Sequence, residues 1–344
     1  MKKYLPYLFL IIALGGAVGY FMYSYAPSTL EKNESDFAIK NIDAITQVRL
    51  TDQEGKTLLL TKKDGQWLVN GKYPARDETL SLLFTAFQKM NTLSPVPVNA
   101  QENVLKDMVK AHVKCEIFLG NEKPEKVYWV GGATNDNKGT YMVMELDGKM
   151  ARQPYITLVP GMNAYLTPRY RVNEEDWRSR TIFSYKLEEI QSLSLIYNRE
   201  RQKSFSLEQV AKDSFVIANS DGSKAQQTKQ SYIQQYLSFY ENISAEAFEN
   251  SNPIRDTIVK EIPYCTVTIT KKDKSVQRAI VYYMPLNGRS KMQFDENGRK
   301  MLYDLDHYYA LVNDDKDFAL VQFYVWSKIL RNYEEFFVKP KPRK

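Results

Sequence analysis

The chain has 344 residues, with 47 Lys and Arg against 41 Asp and Glu, for a net charge of +6. That length suffices for two ordinary domains with a core each, and 43% apolar with 26% charged residues excludes a disordered chain. Basic and acidic side chains are interleaved rather than gathered in one block, which argues against a nucleic-acid footprint.

Lys2 and Lys3 precede an uncharged run over residues 4–25. A helix of that length reaches about 33 Å, enough for a hydrocarbon core of about 30 Å. Pro6 falls in the first turn, where its missing N–H costs little. Tyr4, Tyr7, Tyr20, Phe21, Tyr23 and Tyr25 lie toward the two ends, as an interfacial belt does. Lysines before the run and the acidic-polar stretch of residues 31–36 after it predict a cytoplasmic N-terminus and an extracytoplasmic body. A cleaved signal peptide is the alternative, with small residues at 17–19; the apolar run continues past that point, which favours an uncleaved single-pass anchor. The reading is residues 1–25 as cytoplasmic tip and transmembrane anchor in a bacterial inner membrane, then a spacer over 26–44.

From Ile45 the pattern is that of strands. Ile45, Val48 and Leu50, then Leu58 and Leu60, then Trp67 and Val69 alternate as strands with one buried face. Residues 64–76, "DGQWLVNGKYPAR", set Trp67 between an Asp-Gly and an Asn-Gly pair, both tight-turn signals. Leu80, Leu83, Phe84 and Phe87 follow at helical spacing behind Asp77 and Glu78, acids that suit a helix N-terminus.

The same succession returns about 150 residues later. Ile190, Leu193 and Leu195 match the first strand, Phe205 and Leu207 the second, Phe215 and Ile217 the third. Ile233, Tyr236, Leu237 and Tyr240 match the helix, Cys265 falls on Cys115, and Gly298 on Gly148. Trp177 and Trp326 stand near the two ends. The expected fold is therefore α+β: a transmembrane helix followed by two repeated modules of antiparallel strands with helices packed on them, over 45–186 and 187–338, then a basic tail at 339–344. Because Phe215 stands in the second copy where Trp67 stands in the first, Trp67 reads as scaffold rather than as a ligand-gripping residue.

The stretch W-L-V-N-G-K-Y-P-A-R-x-E with a leucine-rich helix behind it, after a membrane anchor, resembles the bacterial domain-of-unknown-function 4340 family. The resemblance covers most of residues 45–248. It implies an envelope role near an ABC transporter of the gliding-motility-associated kind, and it brings no catalytic residues.

Motifs for chemistry are sparse. With two cysteines and two histidines and no C-x-x-C or H-E-x-x-H spacing, an ordinary zinc site is not expected, and no glycine-rich phosphate loop or nucleophile elbow occurs. No cofactor is expected. The acidic clusters at 173–176 and 313–315 suit helix N-termini better than glycosidase carboxylates. Cys115 and Cys265 read as buried thiols rather than a disulfide.

Residues 155–180 carry the densest aromatic and arginine content. Arg169, Tyr170, Arg171, Trp177, Arg178 and Arg180 form either a seam between modules or a site for a glycan or anionic polymer. The expected function is a non-enzymatic, membrane-anchored envelope protein that works through protein contacts; an envelope glycan-binding protein or hydrolase is the alternative.

Overall fold

A computed structural model describes residues 32–223 and 228–337. The expected anchor and basic tail lie outside these residues; among the described residues no helix is long and apolar enough to cross a membrane. The architecture is mixed α+β with antiparallel sheets, and the chain divides into two units between Ser179 and Arg180. Sequence spacing puts the junction at 186/187, whereas β11 (Thr181–Phe183) already pairs with β15 (Ile243–Ser244) inside the second unit. A short helix, α1 (Lys32–Ser35), opens the described chain.

The first unit holds β1 (Gln47–Asp52), β2 (Thr57–Lys63), β3 (Gln66–Val69), β4 (Tyr73–Pro74), β5 (Asn91–Pro95), β6 (Val113–Phe118), β7 (Lys126–Ala133), β8 (Thr140–Leu146), β9 (Lys149–Met150) and β10 (Tyr155–Leu158). They form one sheet in the order β4-β3-β2-β1-β6-β7-β8-β10-β5, with β9 on β8. Alternation decides the faces: Val48 and Leu50 are fully buried while Gln47 and Arg49 between them are not. Asp64 and Gly65, and again Asn70 and Gly71, all have positive φ, the geometry of hairpin turns that match strand twist.

Two helices bury the two faces of this sheet. α2 (Asp77–Lys89) opens on Asp77 and Glu78, ends on Lys89, and lays Leu80, Leu83 and Phe87 on one face. α3 (Val98–Lys110) lays Val104 and Met108 on Val143 of the other. The first face is closed further by Phe37, Leu166, Tyr170 and Trp177 of α4 (Glu174–Trp177).

The second unit holds β12 (Ile190–Tyr197), β13 (Phe205–Ala211), β14 (Ser214–Asn219), β16 (Ala247–Phe248), β17 (Cys265–Lys271), β18 (Val276–Pro285), β19 (Tyr303–Val312) and β20 (Asp317–Gln322). Their order is β14-β13-β12-β17-β18-β19-β20-β16. α5 (Gln230–Ser238) buries Ile233, Tyr236 and Leu237 on one face, where Trp326 of α7 (Phe323–Trp326) joins the core. Ile258 of α6 (Arg255–Ile258) packs with Tyr282, Tyr309 and Phe318 on the other.

Two matches made from spacing fail in register. Gly148 turns the chain between β8 and β9, whereas Gly298 turns a hairpin within the long β18–β19 connection. That connection displaces everything after it, so a constant offset no longer pairs equivalent positions. Cys115 stands opposite Leu50, but Leu195, the match of Leu50, stands opposite Val267; Cys265 lies opposite Tyr197. The two cysteines thus face the cores from neighbouring rather than equivalent rungs.

Both thiols are free and buried, and burial pushes their pKa well above the ordinary cysteine range. They should resist maleimide at neutral pH in the folded protein and both react in denaturant; labelling followed by mass spectrometry checks this. Trp177 is 1% exposed and donates its indole N–H to the Arg171 carbonyl at 2.7 Å. Trp177→Ala should therefore destabilise the first unit by about 3–5 kcal/mol, read as a shift in denaturant midpoint.

Candidate binding surface

The six residues singled out between 155 and 180 are distributed over both units. In the first, Tyr170 is fully buried and shares a hydrogen bond with the Tyr128 hydroxyl at 3.2 Å. Arg169 reaches back to the Tyr165 carbonyl at 3.4 Å and to Met162 Sδ at 3.1 Å. Arg171 pairs with Asp176 at 3.7 Å, and Trp177 closes the core. Arg178, 4% exposed, lies 3.6 Å over the Tyr73 ring and 3.9 Å from Glu174. Arg180 belongs to the second unit, where its guanidinium donates to the Glu246 carbonyl.

These contacts account for the exposed end of the 64–76 stretch. Asn70 donates to Glu174 at 2.6 Å, Ala75 bridges to Arg178, and Arg76 N–H reaches the Trp177 carbonyl at 2.7 Å. Tyr73 and its neighbours are thus tied to the last turn of the first unit. Trp67 departs from expectation in degree: it is half-buried, packed against Phe84 at 5.1 Å, and lines a shallow groove of about 330 Å³ with Ile42, Leu80 and Asp77. In the second unit Phe215 is fully buried, and the Gln230 side chain bonds both its backbone N–H and its carbonyl.

The candidate acids and histidines are engaged. In the 313–315 cluster, Arg278 pairs with Asp315, and nearby Asp317 takes hydrogen bonds from Asn250 and Asn313. His112 bonds the Met108 carbonyl at 2.8 Å, and His307 lies between Asp304 at 3.1 Å and Glu246 at 3.2 Å.

The most open apolar chemistry is a strip of rings on the second unit. In the first unit, residues 159–173 follow β10 and bring Leu166 and Tyr170 down over Tyr128. In the second, Gln322 ends β20 and Phe323 begins α7 at once. The face beyond the core is left to half-buried Tyr264, Tyr283, Tyr303 and Tyr308. Tyr264 contacts Tyr283 at 4.8 Å and lies nearly parallel to Tyr308, 3° between planes at 5.4 Å. Tyr303 stacks on Tyr283 at 4.6 Å, and Phe323, 43% exposed, extends the strip from Tyr308 at 6.0 Å. Tyr324 beside it is 80% exposed. Arg199 and Glu200 bring charge to its edge.

The sequence held a sign of this strip in its tyrosine-rich stretches at 282–283 and 303–309. Only the register of β18 on β19, which sets Tyr283 opposite Tyr308, brings the rings together.

A family model described as "Domain of unknown function (DUF4340)" matches residues 71–260, more than half of the chain. No curated protein and no solved structure matches it.

Burial raises the phenol pKa of Tyr264, Tyr283 and Tyr308, the last to about 12, so the strip is neutral at physiological pH. A folded-state value raised above the ordinary tyrosine value of about 10 gives stability that is complete below that value. It is lost as pH rises through about 12. Tyrosinate absorbance should therefore show a late-ionising class, with unfolding in that window; Tyr308→Phe should reduce the alkaline loss while keeping the ring.

Proposed function

The chain belongs to the DUF4340 family, and we propose that it is a non-enzymatic binding protein of the bacterial envelope, anchored by residues 4–25 with its body extracytoplasmic. The strip of Tyr264, Tyr283, Tyr303, Tyr308 and Phe323 carries this reading. Half-exposed aromatic side chains that are already ordered lose little entropy on association, and such rings dominate the energetic centres of protein interfaces. The partner class is a protein of the same membrane, and a transporter subunit fits the family resemblance.

The absence of enzymatic activity is supported by how the reactive groups are used. His307 is held by two carboxylates, Glu174 by Asn70 and Arg178, and the thiols are buried in the cores. An acid–base catalyst needs such groups convergent in a cleft and available to substrate.

The two units are two copies of one module. Support comes from their strand orders, β3-β2-β1-β6-β7-β8-β10-β5 and β14-β13-β12-β17-β18-β19-β20-β16, which match position by position. Each unit also has a lead strand ending on a backbone bond to the helix, Ile39 N–H to Phe87 O and Tyr185 N–H to Tyr240 O. Loss of the covering segment from one copy would open a binding face without disturbing the scaffold.

A second reading, binding of an envelope glycan, is favoured by the nearly parallel Tyr264 and Tyr308, whose flat faces suit sugar rings. Affinity capture from detergent-solubilised native membranes separates these readings. Tyr303→Ser with Phe323→Glu should abolish capture of a membrane-protein partner at unchanged melting temperature, whereas Leu82→Glu, at a 51% exposed position of α2, should not. Retention of every partner by the strip variant, with loss of pull-down by purified envelope polysaccharide, would move the assignment to the glycan.

A further inference from the structure

His307 is placed unusually for a lone histidine. It lies on β19 between Tyr303 and Tyr308, and its ring is held from both sides. Nδ1 is 3.1 Å from Asp304 Oδ1, and Nε2 is 3.2 Å from Glu246 Oε2, ahead of β16. Asp304 is well supplied: its carboxylate also takes the backbone N–H groups of Asp306 and His307, both at 2.8 Å, and the Ser290 hydroxyl. Burial opposes its charge, yet these hydrogen bonds outweigh burial and hold its pKa below the ordinary carboxylate range. Glu246 differs. Its Oε2 is buried, and its contact with His307 is its one ion pair.

The other charges around the ring are already committed. Glu249, after β16, pairs with Arg289 at 2.6 and 3.2 Å and takes Asn252 at 2.6 Å. Those bonds outweigh its burial and lower its pKa. Arg180 bonds the Glu246 carbonyl rather than its carboxylate, and Asp306 faces Lys291 at 3.9 Å. The facing residue on β20 is the uncharged Gln322.

We propose that His307 is a proton-operated latch that fastens Glu246 to the Tyr303–Tyr308 segment and so sets the order of the tyrosine strip. The protonated ring donates from both nitrogens and satisfies both carboxylates. The neutral ring has one N–H. Asp304, a fixed carboxylate with its own donors, keeps that proton on Nδ1. The proton lost is the one on Nε2, which leaves a lone pair against the Glu246 carboxylate. Repulsion then frees Glu246 and loosens the segment that carries Tyr303 and Tyr308. The latch is closed on the acid side of the histidine titration and opens as pH rises through it. As regulation of the strip this rests on the binding reading above; as a conformational device it does not.

The test is hydrogen exchange of the full chain at about pH 5.5 and about pH 8, corrected for intrinsic rates and resolved by peptide, which spans the range where histidine changes charge. Peptides covering residues 300–310 and 244–250 should be roughly ten-fold better protected at the lower pH, as one charge-assisted hydrogen bond gives. His307→Gln should remove the difference. Glu246→Gln, whose amide tolerates either ring state, should also shrink it and serves if the first variant does not fold. An equal pH difference in wild type and both variants, or none in wild type, overturns the latch. If the latch stands and the strip variant still captures its partner, only the binding reading fails.

Discussion

Long-range pairing governs this protein. In each unit the strand that begins the sheet must pair with one far along the chain: β1 with β6, and β12 with β17. Such closure is entropically costly and is completed only if the residues brought together bury well. Once it forms, its register assigns every side chain to a face, and a one-residue slip would reverse them all. Leu50 against Cys115 and Leu195 against Val267 are fully buried rungs of these pairs.

From those seams the faces fill unequally. α2 and α5 take one face of each sheet, and α3 and α6 the other. The first unit closes its α2 face with residues that follow β10, and this is where most of the arginine–aromatic stretch goes. Tyr170 and Trp177 enter the core, while Arg178 covers Tyr73 with a guanidinium plane that stays hydrogen-bonded at its rim. In the second unit the chain goes straight from β20 into α7, so tyrosine rings end the face themselves. A tyrosine suits that place because its ring packs on the core while its hydroxyl remains in water.

The polar groups of the second unit follow the same logic. The long β18–β19 connection is anchored at its base by Ser290 and Asp304, and by Arg289 on Glu249. Buried carboxylates are tolerated there because donors surround them. Glu246 is the exception, since it depends on a group whose charge varies with pH. This makes the edge next to β16 sensitive to conditions that leave the two cores unaffected.

Much of this was written in the sequence, because local physics decides it. Alternation over 45–69 and 190–217 names strands and their buried faces, Asp-Gly and Asn-Gly name the turns, and the helical spacing of Leu80, Leu83 and Phe87 names a helix. Internal similarity was legible wherever connections kept their length. It misplaced Gly298 and the cysteine match because a long connection shifts register without changing the hydrophobic pattern. The strip and the His307 latch had no local signal: Tyr264, Tyr283 and Tyr308 come from three strands, and Glu246 and His307 lie far apart in the chain. Their meeting, and the exposure of the strip, depend on strand register and on which face a later segment happens to cover. Those are properties of the closed sheet, and periodicity along a single strand does not contain them.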